Sequence, residues 1–119
     1  MNARGSAVIE FALVVPLVLV LLLAVVEVAL VARGQLMVIN AAREGAREAA
    51  ATPDPAAAVT AARLALGDAG VSASVTVQRP RIVGQPARVR VVMRYRIASP
   101  LFGGVPVDLS ASAAMRVER

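Results

Sequence analysis

Residues 11 to 26, FALVVPLVLVLLLAVV, form a run of sixteen positions without a single charge. Beyond Glu27 the apolar pattern resumes as VALVA through Ala32. A helix over Ala7–Ala32 would be roughly 39 Å long at about 1.5 Å per residue. The hydrocarbon core of a bilayer needs only about 30 Å. The run therefore predicts one membrane span, with Glu10 near one interface and Glu27 near the other. Pro16 is tolerated in such a helix when neighbours satisfy the carbonyl it frees. A soluble alternative asks the rest of the chain to wrap a helix that is apolar all round, which the rest of a 119-residue chain is too small to do. A cleavable secretory signal fits poorly, because the apolar region is too long and no A-x-A site follows it.

Composition narrows the chemistry. The chain has no Cys and no His, so disulfides, thiol chemistry and the commonest general base and metal ligand are absent. Its net charge of +5 is compatible with anionic partners and does not bear on fold. The eight acids are scattered over the span, a charged helix face, and cap or turn positions. No pair of them has the spacing of an acid–base couple, and no Gly-rich phosphate loop is present. The chain is not expected to be an enzyme, to hold a metal or cofactor, or to take a small-molecule substrate.

Glu10 stands at the mouth of the apolar run, where an ionised carboxylate is costly and so usually functional. The string Gly5-Ser6-Ala7-Val8-Ile9-Glu10-Phe11 resembles the cleavage motif of type IV prepilins. The wider stretch, with Pro16 a few residues on and AAREGAR at 41–47, resembles the TadE-like family. These are small pseudopilins of the tight-adherence (Tad, Flp) pilus system. The resemblance is specific over residues 4 to about 50 and loose beyond. It implies a leader over 1–5, cleavage between Gly5 and Ser6 by a prepilin peptidase, and a span over 6–33. It implies an extracytoplasmic domain over 34–119, held in a bacterial inner membrane with the N-terminus cytoplasmic. The charge count alone leaves the orientation open, since Arg33, Arg43 and Arg47 outnumber Arg4.

Under that resemblance Glu10 becomes the fifth mature residue, and Glu10 with Phe11 would help dock the subunit into a growing assembly. Positions i and i+4 share a helix face, so a new α-amine on Ser6 and the Glu10 carboxylate can compensate each other. The implied partners are the peptidase, other pilins or pseudopilins, the Tad assembly platform and membrane lipid. Glu27 is read as an interfacial acid that reaches water. The alternatives are an uncleaved single-span scaffold of envelope or secretion machinery, and a basic DNA- or surface-binding module on a tether.

The first helix is expected to continue to about Ala51. Arg43, Glu44, Arg47 and Glu48 fall on one arc, where the i,i+4 pairs carry like charges and lend no support. Val38, Ile39, Ala42, Gly45, Ala46 and Ala49 fall on the opposite arc, small enough for close approach by a core element or by another subunit's helix. TPDP ends the helix, Asp54 is the candidate N-cap of a second helix from about Pro55 to Leu66, and Gly67 and Gly70 close it.

Three alternating stretches then predict antiparallel strands with one buried face. Their apolar rows are 71, 73, 75, 77; 89 to 97 in steps of two; and 107 to 117 in steps of two. VGQP and SPLFGGVP supply the turns. The expected fold is α+β: a long N-terminal transmembrane helix continuing into a small domain with a short second helix and a three-stranded meander. The row Arg88, Arg90, Arg94, Arg96 is read as a solvated strand face. With only Tyr95 nearby, and on the other face, a base-stacking platform for nucleic acid is disfavoured.

Overall fold

The structure, a computed structural model, describes residues 3–97 and 103–118. Two helices, a 3-10 turn and three strands follow in chain order: α1 (Ala3–Ala51), α2 (Pro55–Leu66), the turn Gly67–Val71, β1 (Ser74–Gln78), β2 (Pro86–Arg96) and β3 (Pro106–Arg116). This is the expected α+β architecture. The chain divides into two compact units, Met1–Leu30 and Val31–Arg119.

The described residues of the first unit are all helical. Its large apolar residues point outward on every side: Val8, Phe11, Leu13, Leu17, Leu19 and Val25 are all exposed. Pro16 lies inside the helix and withdraws one N–H from the ladder. Helix α1 is long and apolar enough to cross a membrane, with a mean hydropathy of 3.0 over its most apolar 18 residues. A helix that is apolar all round is at home in lipid or among other apolar helices.

The second unit is built on the last twenty-one residues of α1, Val31–Ala51. Its sheet has the order β1-β2-β3 with both pairings antiparallel. Register pairs Val75 with Val91 and Val77 with Val89 on one side, and Val89 with Ala113 and Met93 with Leu109 on the other. Strand alternation sends Ala87, Val89, Val91 and Met93 inward and Arg88, Arg90, Arg94 and Arg96 outward. The core is small and rich in alanine: Val38, Ala42, Ala46 and Ala49 of α1 join Ala58, Ala62 and Leu66 of α2 and the inward β2 residues.

The end of α1 has no glycine cap. The last carbonyls of a helix still need donors, and three parts of the unit supply them. Thr52 N–H donates to Glu48 O at 2.8 Å, Arg79 Nε to Ala49 O at 2.6 Å, and Glu118 N–H to Ala50 O at 2.9 Å. Gln35 Nε2 donates to Ser110 O at 3.0 Å, tying the helix to β3. Asp54 caps α2 as expected, its Oδ1 accepting from Ala56 N–H at 3.0 Å, with Pro55 at the first position. Gly67 follows α2 with φ of 62°, the left-handed conformation that glycine takes without strain.

Several expectations change. Val71 is not in a strand; it sits in the 3-10 turn and is 86% exposed. Ala73 is buried just before β1, which begins at Ser74. Met115 falls on the expected buried row of β3 but is 40% exposed, although its strand partner Ala87 and the next residue of that row, Val117, are buried. Glu44 and Arg47 form an ion pair at i,i+3, which the i,i+4 comparison overlooks. Hydrogen bonding from Arg47 holds the Glu44 carboxyl below its ordinary value and raises the guanidinium in turn. Part of the SPLFGGVP turn lies outside the described residues; within them Gly103 and Gly104 have positive φ, as a tight turn requires.

Candidate docking segment and helix face

The motif residues all lie on the first unit's helix. Gly5, Ser6, Glu10 and Phe11 are helical and exposed, and Phe11 shows 71% of its surface. Ser6 and Glu10 are one turn apart, about 40° around the axis at roughly 100° per residue, so they share a face. That face has no other charge between Gly5 and Val26. Chemically it offers a carboxylate and, beside it, an aromatic ring on an apolar rod. Such a surface suits a cation held in an apolar setting, where pairing offsets much of the cost of desolvation.

Glu27 departs from its reading as an acid that reaches water. It is only 8% exposed, and its Oε2 has no hydrogen-bond partner among the described residues.

The small-residue face lies wholly in the second unit. Ala42, Gly45, Ala46 and Ala49 are buried within the chain itself. A Cβ on Gly45 would stand 3.0 Å from Val89 Cγ1 and 3.1 Å from Ala62 Cβ, so the sheet and α2 both close on this point. Of the two readings of that face, the structure uses it for the chain's own core. It is covered and is not open to a helix of another subunit.

The arginine row is exposed as expected, and Arg94 Nε lies 3.5 Å from Asp108 Oδ1 across the β2–β3 pairing. Both partners are largely solvated, and such a pair contributes little. Among the described residues no group of His, Cys, Asp and Glu is placed to hold a metal.

Two exposed apolar spots escaped the sequence reading. Ile82 and Val83 sit at the β1–β2 turn with 61% and 63% of their surface free. Leu64 and Val71 flank the end of α2 with 76% and 86% free. The available signal was an aliphatic pair inside RPRIVGQP, where a loop is ordinarily polar.

Comparison with known proteins bears on the helix. Residues 5–47 match the family described as TadE-like protein. The match starts at Gly5, includes Glu10 and Phe11, and ends with the AAREGAR string. No curated protein and no solved structure matches the chain. Glu10, Phe11 and the buried residues Ala42, Gly45 and Ala46 thus fall inside one matched stretch, Ala49 lies just beyond it, and over residues 5–47 this chain is similar to the TadE-like family.

Proposed function

We propose that the chain is a minor pilin or pseudopilin of a Tad-type pilus, acting through binding and not catalysis. The observation that carries this reading is the TadE-like match beginning at Gly5, with Glu10 in the fifth position after it on an exposed apolar helix. In this reading a prepilin peptidase cuts between Gly5 and Ser6 in the cytoplasm-facing part of the inner membrane. The new amine on Ser6 and the Glu10 carboxylate then lie on one helix face. Insertion beside a neighbouring subunit removes both groups from water, and their mutual attraction offsets much of the penalty. Phe11 adds apolar area next to the pair. The second unit projects outside the cytoplasmic membrane, available to other pilins and the assembly platform.

The test is the intact mass of the membrane-extracted protein, with and without the host's prepilin peptidase. A mature chain starting at Ser6 only when the peptidase is present supports a processed pilin. A chain still starting at Met1 replaces it with an uncleaved membrane scaffold.

A further inference from the structure

Among the exposed apolar residues of the second unit are two aliphatic pairs, one at each end of β1. At the end that follows Gln78, a tight turn holds Ile82 and Val83 outward. The turn is fixed by Gln85 N–H donating to Ile82 O at 3.3 Å and Gly84 N–H donating to Val117 O at 2.9 Å. It is therefore a convex tip, with exposed Arg81 before it and exposed Arg88 at the start of β2 behind it. At the end that precedes Ser74 lies an open cleft of about 560 Å³, lined by Leu64, Gly67, Asp68, Gly70 and Val71 with Arg63 at its side. A second cleft shares Leu64 and carries Glu44 on its rim. Asp68 has no ion pair among the described residues.

We propose that the Ile82–Val83 tip of one copy seats in the Leu64–Val71 cleft of a second copy of this chain. Shape and chemistry both favour that occupant. An exposed aliphatic pair on a turn meets an open cleft edged by two exposed aliphatic side chains, and Arg81 meets Asp68, which has no ion pair among the described residues. Apolar contact at the centre with charges at the rim is how protein interfaces are organised. Pairing cleft with cleft instead faces two hollows and leaves the tip in water. The tip has aliphatic anchors and no ring, so it is not a surface for stacking bases.

Because tip and cleft are at opposite ends of β1, the contact is head-to-tail. Such a contact does not close on itself in a pair, and repeating it builds a row. A single contact needs only two copies in one membrane, and it does not depend on cleavage at Gly5.

The absence of cysteine makes the test direct. Full-length chains carrying V71C or V83C, on differently tagged copies, are co-expressed in the native membrane and treated with a short bismaleimide. Both positions are exposed and Val83 has an ordinary negative φ, so neither substitution burdens the fold. The mixed pair V71C with V83C should cross-link about tenfold more than either pair of identical variants, and a chain carrying both should give a ladder of multimers. R81D should lower the mixed product about tenfold, and D68R on the other copy should restore it. The proposal is overturned if V71C links to itself as readily as to V83C. It is equally overturned if the mixed product stays at the level of S112C, an exposed control on the outer sheet face. Because the readout is contact and not N-terminal mass, failure here leaves the processing question untouched.

Discussion

Gly45 and Val89 approach so closely that a Cβ on the glycine would stand 3.0 Å from Val89 Cγ1. Ala62 Cβ and Ala58 O close the same point at 3.1 and 3.4 Å. Val89 and both alanines are fully buried, so none can swing aside freely. Gly45→Ala gains about 1 kcal/mol of helix propensity, but the crowding costs about 1–3 kcal/mol. The expected outcome is a net loss of about 1 kcal/mol, deepening to about 3 kcal/mol or more for Gly45→Leu. Thermal unfolding of the detergent-solubilised chain, followed by circular dichroism, measures both. A Gly45→Leu protein as stable as the parent would show that the helix does not sit this close to the sheet.

Gly34 offers the contrast. A Cβ there would meet Leu109 Cδ1 at 2.8 Å and Met93 Cε at 3.7 Å. Both are ends of flexible side chains, which move at little cost. Gly34→Ala should therefore fall within about 0.5 kcal/mol of the parent, with the helix gain offsetting the adjustment. The same melting experiment distinguishes the two glycines.

Asp54 caps α2 through a single bond to Ala56 N–H. Asp54→Ala should cost about 1 kcal/mol, while Asp54→Asn, which keeps an acceptor oxygen, should cost only a few tenths. Equal losses for the two variants would mean that the acceptor is not what holds the cap.

Arg79 reaches across thirty residues to the carbonyl of Ala49. Its removal leaves a carbonyl at the end of α1 without that donor. Arg79→Ala should lower stability by about 2 kcal/mol. Hydrogen exchange should show the loss first as opening of the last turn of α1, a readout that a change confined to the β1–β2 turn would not produce.

The Glu44–Arg47 pair sets a small acid-side dependence. The Glu44 carboxyl is held below its ordinary value of 4.5 by hydrogen bonding from Arg47. A carboxyl lowered in the folded state adds stability above its unfolded value and loses it as pH falls through the lowered one. The melting difference between parent and Glu44→Gln should be present at neutral pH and vanish in acid below that lowered value. Because the pair is solvated, the difference is small and should shrink further in high salt.

Much of this molecule was legible from local pattern. Sixteen uncharged positions set the span-length helix, TPDP and Asp54 set the break and the restart, and period-two alternation set which side of β2 carries arginine. Each is a one-dimensional signal, because helix length, proline geometry and strand alternation are properties of neighbouring residues. The spacing of Glu10 from Gly5 is a signal of the same kind, and both residues fall inside the matched stretch.

Tertiary structure decided what the pattern left open. The face of Ala42, Gly45, Ala46 and Ala49 could serve a core or a neighbouring subunit, and only the arrival of Val89 and Ala62 assigns it to the core. The period-two row ran to Val71, yet the close of α2 takes that residue into a 3-10 turn and leaves it bare. Spacing along a chain determines which residues can share a face; what covers that face depends on contacts between segments far apart in sequence, and those exist only once the chain has folded.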